Sequence, residues 1–387
     1  MAIPAFNEDM KKFMHQLLQL LVHKKGSDLF VTAGFPPAMK LDGQLAPVSE
    51  KKLSAEHTAL MARAIMDDKQ AKEFDDTNEC NFAISLAGVS RFRINAMVQR
   101  GAVALVCRVI TSDIPQFENL NLPTVLKDVV MSKRGLVIFV GGTGSGKSTS
   151  LAALIDYRNQ HSHGHIITIE DPIEFMHPHK NCIITQREVG VDTETWFAAL
   201  KNTLRQAPDV ILIGEIRDRE TMDYALAFAE TGHLCMATLH ANSANQALDR
   251  IINFFPEERR GQLLNDLSLN LKGFISQRLV PKPGGKGRVA AVEVLLNSPL
   301  IAELILNGDI HGVKEIMARS RDLGMQTFDQ SLFDLYEAGL ISYDDALKNA
   351  DSVNDLRLNI QLNSQHKGHG VADLDHLSIV DYGQQAE

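Results

Sequence analysis

Cysteine is scarce in this 387-residue chain. The four present, Cys80, Cys107, Cys182 and Cys235, are scattered without a C-x-x-C pair, which excludes a zinc knuckle and a disulfide framework and fits a reducing cytoplasm. An excess of positive charge is also missing. Lys and Arg total 39 against 48 Asp and Glu, a formal net charge of −9, and no basic stripe interleaved with aromatics is present, so a protein that tracks nucleic acid is not expected. No apolar run approaches the roughly 18 residues of a membrane-spanning helix. The first residues include Asn7, Glu8, Asp9 and Lys11 rather than a basic segment followed by an apolar one, and the expectation is a chain neither secreted nor membrane-spanning. What remains is ordinary for a globular protein: 44% hydrophobic and 22% charged residues, in a length that suggests two or three domains.

One motif breaks that ordinariness. The apolar run Gly135–Val140 leads straight into Gly141-Gly142-Thr143-Gly144-Ser145-Gly146-Lys147-Ser148, which fits G-x-x-x-x-G-K-[ST] in the setting a phosphate-binding loop needs. The glycines let successive backbone N–H groups turn inward around phosphates. Lys147 can reach the terminal two phosphates, and Ser148 can offer its hydroxyl to Mg²⁺. A helix starting near Gly146 adds the positive end of its dipole. The implied ligand is a nucleoside triphosphate with Mg²⁺.

Elsewhere the pattern predicts elements. Residues 8 to 24 carry Met14, Leu17, Leu18 and Leu21 at i, i+3, i+4, i+7 spacing, the stripe of an amphipathic helix ending near Gly26. Strands are expected at 29–32, then at 39–41 and 44–47 around Asp42-Gly43, then at 89–98 and 102–110 around Arg100-Gly101. Together they predict an α+β domain over 1–112. Few periodic apolar positions and Pro115 mark 113–121 as a linker. Beyond it, apolar strands at 135–140, 165–169, 209–213 and 234–239 alternate with helical stretches, the rhythm of a parallel sheet covered on both faces. A helix is expected over 257–279, with Leu263, Leu264, Leu267, Leu271, Phe274 and Ile275 in the core. Ser342-Tyr343-Asp344-Asp345 and Ser352-Val353-Asn354-Asp355 match capping boxes that start short helices. Past Leu362 the chain turns polar and aperiodic, and a flexible tail is expected over 363–387.

In open α/β sheets, ligands sit off the carboxyl ends of the strands. The strand ending at Ile169 meets Glu170-Asp171-Pro172 there. Glu170 is the candidate base for the attacking water, the alternative being an ordinary turn carboxylate. The strand 210–213 runs into Gly214-Glu215, a Walker-B-like end at which Glu215 would help hold Mg²⁺ or its water shell. His240 reaches the same edge, either as a satisfied structural histidine or as a sensor of the terminal phosphate. On the strand at 89–98, a period of two points Phe92, Ile94, Ala96 and Val98 to one face and Arg91, Arg93 and Asn95 to the other. Those guanidiniums either form a solvated face or stand side by side for a phosphate held by another domain or subunit. His177-Pro178-His179 lacks a third ligand and is not counted as a metal site.

The four blocks at 141–149, 168–175, 214–218 and 237–241 resemble the Walker A, Asp box, Walker B and His box of the secretion-type hexameric ATPases, in that order. Over about residues 8–360 the chain is similar to the type IV pilus retraction ATPases of the PilT/PilU family. That resemblance implies a PAS-like N-terminal α+β domain joined to a RecA-like P-loop domain over 122–362, assembled as a ring of six. It implies ATP and Mg²⁺, and a cytoplasmic place at the inner-membrane base of the pilus machine. Residue by residue, it makes the stretch from Gly141 to Thr149 nucleotide-binding, with Lys147 as the phosphate lysine. Glu170 becomes the catalytic glutamate, Glu215 the Walker B carboxylate, and His233 and His240 the histidines near the nucleotide. Arg91, Arg93 and Arg108 would reach toward bound nucleotide, and Arg217 would face a neighbouring subunit.

The scattered cysteines leave no room for the tetracysteine zinc insertion of assembly motors, so retraction is expected rather than extension. Asn297-Ser298-Pro299 runs into Leu300-Ile301-Ala302-Glu303-Leu304 without the arginine found there in PilT-like motors, and the tail is longer. Both features are more like PilU, the accessory paralogue. The implied partners are a PilT-like retraction ATPase and an inner-membrane platform protein of the PilC kind, with membrane association only through partners and no nucleic acid. Two rival readings are a nucleotide-binding ring adaptor that docks on a partner motor and a RecA-like nucleic-acid translocase.

Overall fold

The stripe of Met14, Leu17, Leu18 and Leu21 becomes the buried face of α1 (Glu8–His23). The structure, a computed structural model, describes residues 8–285 and 287–366. After α1 come β1 (Asp28–Val31), β2 (Ala38–Leu41) and β3 (Gln44–Pro47). The β2–β3 hairpin turns at Asp42 and Gly43, at φ 47° and 82°, the two positive values its tight turn demands. Next are α2 (Ala55–Ile65) and α3 (Asp68–Thr77), opened by reciprocal caps between Ser54 and His57 and between Asp67 and Gln70. β4 (Glu79–Leu86), β5 (Ser90–Gln99) and β6 (Ala102–Ile110) complete an antiparallel sheet in the order β3-β2-β1-β6-β5-β4.

The expected two-faced strand is β5. Its Phe92, Ile94 and Ala96 are fully buried against Met14, Leu18, Phe74 and Phe82, while Arg91, Arg93 and Asn95 are half-buried on the other face. Each large apolar side chain in that cluster stabilises the fold by roughly 1.5–3 kcal/mol. β4 was not among the expected strands. It too alternates, exposed Glu79 and Asn81 with buried Cys80 and Phe82, but its polar positions hide the period.

The rest of the chain runs α4 (Val125–Met131), β7 (Gly135–Val140), α5 (Lys147–His161), β8 (Gly164–Glu170), β9 (Cys182–Glu188), α6 (Trp196–Thr203), β10 (Val210–Ile213), α7 (Arg219–Glu230), β11 (Leu234–Leu239), α8 (Ala244–Asn253), α9 (Glu257–Asn270), β12 (Leu271–Pro281) and β13 (Arg288–Leu296). Five helices follow: α10 (Pro299–Leu306), α11 (Ile310–Arg319), α12 (Phe328–Glu337), α13 (Tyr343–Asn349) and α14 (Val353–Asn363). Ser342 and Ser352 cap α13 and α14 as expected, each accepting from the backbone N–H three residues on. The tail expected over 363–387 lies, from residue 367 on, outside the described residues.

The chain divides into two compact units, Met1–Ile114 with Asn159–Gly214, and Pro115–Arg158 with Glu215–Glu387. In the first, β8 is flanked by β10 and β9, all parallel. In the second, β7 lies between β11 and β12, parallel to both, and β12 pairs antiparallel with β13. β7, β10 and β11 are buried at every position, the continuous apolar runs of strands covered on both faces.

The helix expected over 257–279 is a correction. It ends at Asn270, and Leu271, Phe274 and Ile275 lie buried on β12. A strand buried on both faces reads as a continuous apolar run, which periodicity cannot tell from a buried helix. The ladders to β7 and β13 decide the matter here, and α9 keeps only Leu263 and Leu267 as buried leucines.

Candidate nucleotide site

The phosphate loop connects β7 to α5, as its motif requires. Gly146 has φ 89°, and a Cβ there would stand 2.6 Å from Gln277 Nε2, so only glycine fits this turn. Lys147 opens α5, 8% exposed, and its Nζ donates to the carbonyl oxygens of Gly141 (2.6 Å) and Gly142 (2.9 Å). The ammonium is thereby folded over the loop. Gly142, Thr143 and Gly144 are exposed, Ser148 and Thr149 are half-buried, and Ser145 Oγ is buried with no hydrogen-bond partner. An exposed glycine-rich turn, a helix N-terminus, a held ammonium and an orphaned hydroxyl form a donor set that fits a polyphosphate.

Gln277 of β12 braces this loop. Its Nε2 donates to Ser145 O at 2.9 Å and its Oε1 accepts from Ser150 Oγ at 2.8 Å, in a side chain that is 3% exposed. Sequence reading missed it because it lay inside the stretch taken for a helix.

In the same unit Glu215, His240 and Arg217 come together. Glu215 Oε2 is 3.2 Å from His240 Nε2, and Arg217 Nε donates to Glu215 Oε1. The loop carrying His240 is tied down by Arg250, which donates to His240 O at 2.8 Å. A cleft of about 320 Å³ is lined by Gly142, His240, Asn242, Gln246 and Arg250, so the phosphate loop and the His240 loop share one opening. A second, of about 120 Å³, lies between Gly146, Thr149, Leu279 and Arg288. Glu215 and Ser148 are oxygen donors, the ligand type that suits Mg²⁺. Among the described residues no three His, Cys, Asp or Glu side chains gather as a metal cage.

His233 stands apart from His240 in this chain. It precedes β11, where its carbonyl accepts from Gly135 N–H at the start of β7, while His240 follows β11 at the end where β7 enters the phosphate loop. The seven residue steps from His233 to His240 span about 23 Å of extended chain, so the two histidines stand at opposite ends of β11. Its Nδ1 instead meets Thr231 Oγ1 at 3.1 Å and Phe228 O at 3.3 Å.

In the other unit, Glu170 ends β8 at its carboxyl end. Its Oε1 accepts from Thr168 Oγ1 (2.6 Å) and Gln186 Nε2 (3.2 Å). Burial pushes its carboxyl up to about 7, against the opposing hydrogen bonds from Thr168, Gln186 and the Glu174 backbone. Such a group can exchange a proton near neutral pH. Gly214, just after β10, donates to Ile169 O at 2.7 Å, and a Cβ on it would lie 3.1 Å from Glu170 Cα. Glu215 is the next residue in the chain.

The three arginines part company. Arg91 Nη2 is 3.3 Å from Asp192 Oδ2. Arg91 and Arg93 both act to lower the pKa of buried Glu188, whose carboxyl burial nonetheless raises. Arg108 sits directly across from Arg93 in the β5–β6 register, yet its Nε is taken by Asp28 Oδ1 at 2.7 Å. Only the alternation of β5 was visible beforehand; the acidic partners Glu188 and Asp192 lie a hundred residues away in sequence.

A P-loop between a parallel strand and a helix, with a strand-end carboxylate and histidine beside it, defines a RecA-like nucleotide-hydrolysing core. The family model described as "Type II/IV secretion system protein" matches residues 7–303, and the chain belongs to that family. Within it the chain is an ATPase of the PilT/PilU type. It is 59% identical to the type IV pilus ATPase PilU of Pseudomonas aeruginosa, over 96% of each chain. With the pilus retraction ATPase PilT of the same organism it shares 42% identity, over 87% of this chain and 97% of that one. Among solved structures, the pilus retraction motor PilT with bound ADP superposes with a TM-score of 0.81 at 40% identity, over 88% of this chain and 97% of that one.

Proposed function

We propose that the chain is a ring-forming motor that hydrolyses ATP to drive retraction of a type IV pilus, as an accessory partner to a PilT-like ATPase. The observation that carries this reading is the shared opening of the phosphate loop and the His240 loop, with Glu215 between His240 and Arg217. Lys147 and the loop N–H groups hold the phosphates. The smaller cleft beside Gly146 and Thr149 takes the base and ribose. Ser148 and Glu215 would hold Mg²⁺, which would supply neutralising charge at the phosphates. Glu170, neutral or ionised within reach of physiological pH, takes the proton of the attacking water. His240 reports the state of that edge to α8 through its loop.

A ring of six gives each arginine two ways to act, on its own chain or on a neighbour. Arg91, paired with Asp192, and Arg93, near enough to Glu188 to lower its pKa, are the two offered to a phosphate. The accessory role is supported by the higher identity to PilU than to PilT, and by α10, which begins Pro299-Leu300-Ile301-Ala302 with no arginine. A platform protein in the inner membrane would receive the force, from a motor at the cytoplasmic side.

ATP turnover by the purified chain tests the enzymatic core. The natural chain is expected to turn over ATP with Mg²⁺ and to stop when the ion is chelated, while Lys147→Ala should be inactive. Equal rates for the natural chain and Lys147→Ala would sink the reading.

A further inference from the structure

Three successive residues of β12 reach into different parts of the second unit. Gln277 points to the phosphate loop, as described. Its neighbours point to the opposite face. Ser276 Oγ donates to Glu293 Oε1 at 2.8 Å, and that buried carboxylate also accepts the Ala244 N–H at the start of α8 (2.7 Å). Arg278 lies between the His240 loop and the last helices. Its Nη2 donates to Asn242 O (3.2 Å) and to Asp351 Oδ1 (2.7 Å), and its Nη1 to Asn349 O (2.6 Å). The guanidinium stacks 3.9 Å from the ring centre of Phe328 in α12, and Asp351 is gripped a second time by Lys314 Nζ of α11 at 2.9 Å.

We propose that Arg278 is a positioning residue that couples the nucleotide edge to the α11–α14 helices. The proposal rests on the nucleotide-site reading given above. A single nitrogen, Nη2, serves both Asn242 and Asp351, so a shift of the His240 loop is felt by the turn between α13 and α14. The bond to Asn242 is the longest of the three, and on the other side Phe328, Asn349 and Asp351 seat the guanidinium at three points. Lysine cannot replace this planar fork, which fills three acceptors and stacks on an aromatic ring at once. The neighbouring Gln277 gives the same strand a grip on the phosphate loop, so occupancy there reaches Arg278 by one residue of strand held in the β13 ladder, just past the last pair with β7.

Hydrogen–deuterium exchange on the full chain, with and without ADP and Mg²⁺, tests the coupling at three segments: 141–149, 240–246 and 349–355. In the natural chain ADP is expected to slow exchange in all three. In Arg278→Ala it should still slow 141–149 but leave 349–355 unchanged, with kcat lower by about 10- to 100-fold and the KM for ATP within about twofold. Arg278→Lys should behave like the alanine variant in the exchange experiment and carries the test should alanine fail to fold. Lys314→Ala, which leaves the Asn242 bond in place, should keep the response. Protection of 141–149 without any response at 349–355 in the natural chain, or a response that survives in both Arg278 variants, would overturn the proposal. No ADP response at 141–149 would instead overturn the nucleotide site, and the coupling with it.

Discussion

Replacing Glu170 by Gln should make the protein more stable and nearly inactive at once. Burial raises this carboxyl from 4.5 to about 7, so the folded state binds its proton more tightly than the unfolded state does. The stability that proton contributes is complete below about pH 4.5 and is lost as pH rises through about 7. At pH 8 the buried carboxylate therefore costs about 3 kcal/mol relative to an uncharged group. Gln keeps an oxygen for Thr168 Oγ1 and Gln186 Nε2, which both donate to the same carboxyl oxygen. It loses the acceptor for the Glu174 backbone N–H, at about 1 kcal/mol. The net expectation is a gain of about 2 kcal/mol at pH 8, changing to a loss of about 1 kcal/mol near pH 4.5. Denaturant unfolding followed by the single tryptophan, Trp196, reads this out, because Trp196 lies in the same unit and touches the Gly214 position beside Glu170. Turnover should fall by about 10²- to 10⁴-fold, and the acidic limb of the natural kcat/KM profile near pH 7 should disappear. A variant destabilised equally at both pH values would refute the desolvation argument.

Truncating Phe274 to Ala, a fully buried side chain on β12, should cost about 3–5 kcal/mol; a change under about 1 kcal/mol in denaturant unfolding would contradict the strand's place in the core. Arg91→Ala should lower kcat by about 10³- to 10⁵-fold if its guanidinium engages the terminal phosphate, whereas Arg108→Ala, whose guanidinium is held by Asp28, should lower it less than about tenfold. Steady-state ATP turnover on the two variants separates these arginines.

Much of the fold and part of the site were legible because they rest on short-range rules. The phosphate loop is contiguous in sequence, the Asp42-Gly43 turn fixes its own hairpin, and the period of two in β5 sorts Phe92 from Arg91 without knowledge of any partner. What stayed hidden depends on distant pairings. β12 became a strand only through β7 and β13, so Gln277 and Arg278 could not be given opposite faces while the stretch was taken for a helix. His233 and His240 bracket β11, and the pairing of that strand with β7 puts only His240 at the end that meets the phosphate loop. Glu188 and Asp192 are acidic residues without a motif, brought to Arg91 and Arg93 by the fold alone.

On the proposed function, ATP hydrolysis by this chain moves a pilus. Cells lacking the chain, complemented with either the natural gene or Lys147→Ala at matched protein levels and scored for pilus retraction, put it most directly. The natural chain should restore retraction beside its PilT-like partner and Lys147→Ala should not. Equal restoration by the two would contradict the motor and leave a ring adaptor in its place.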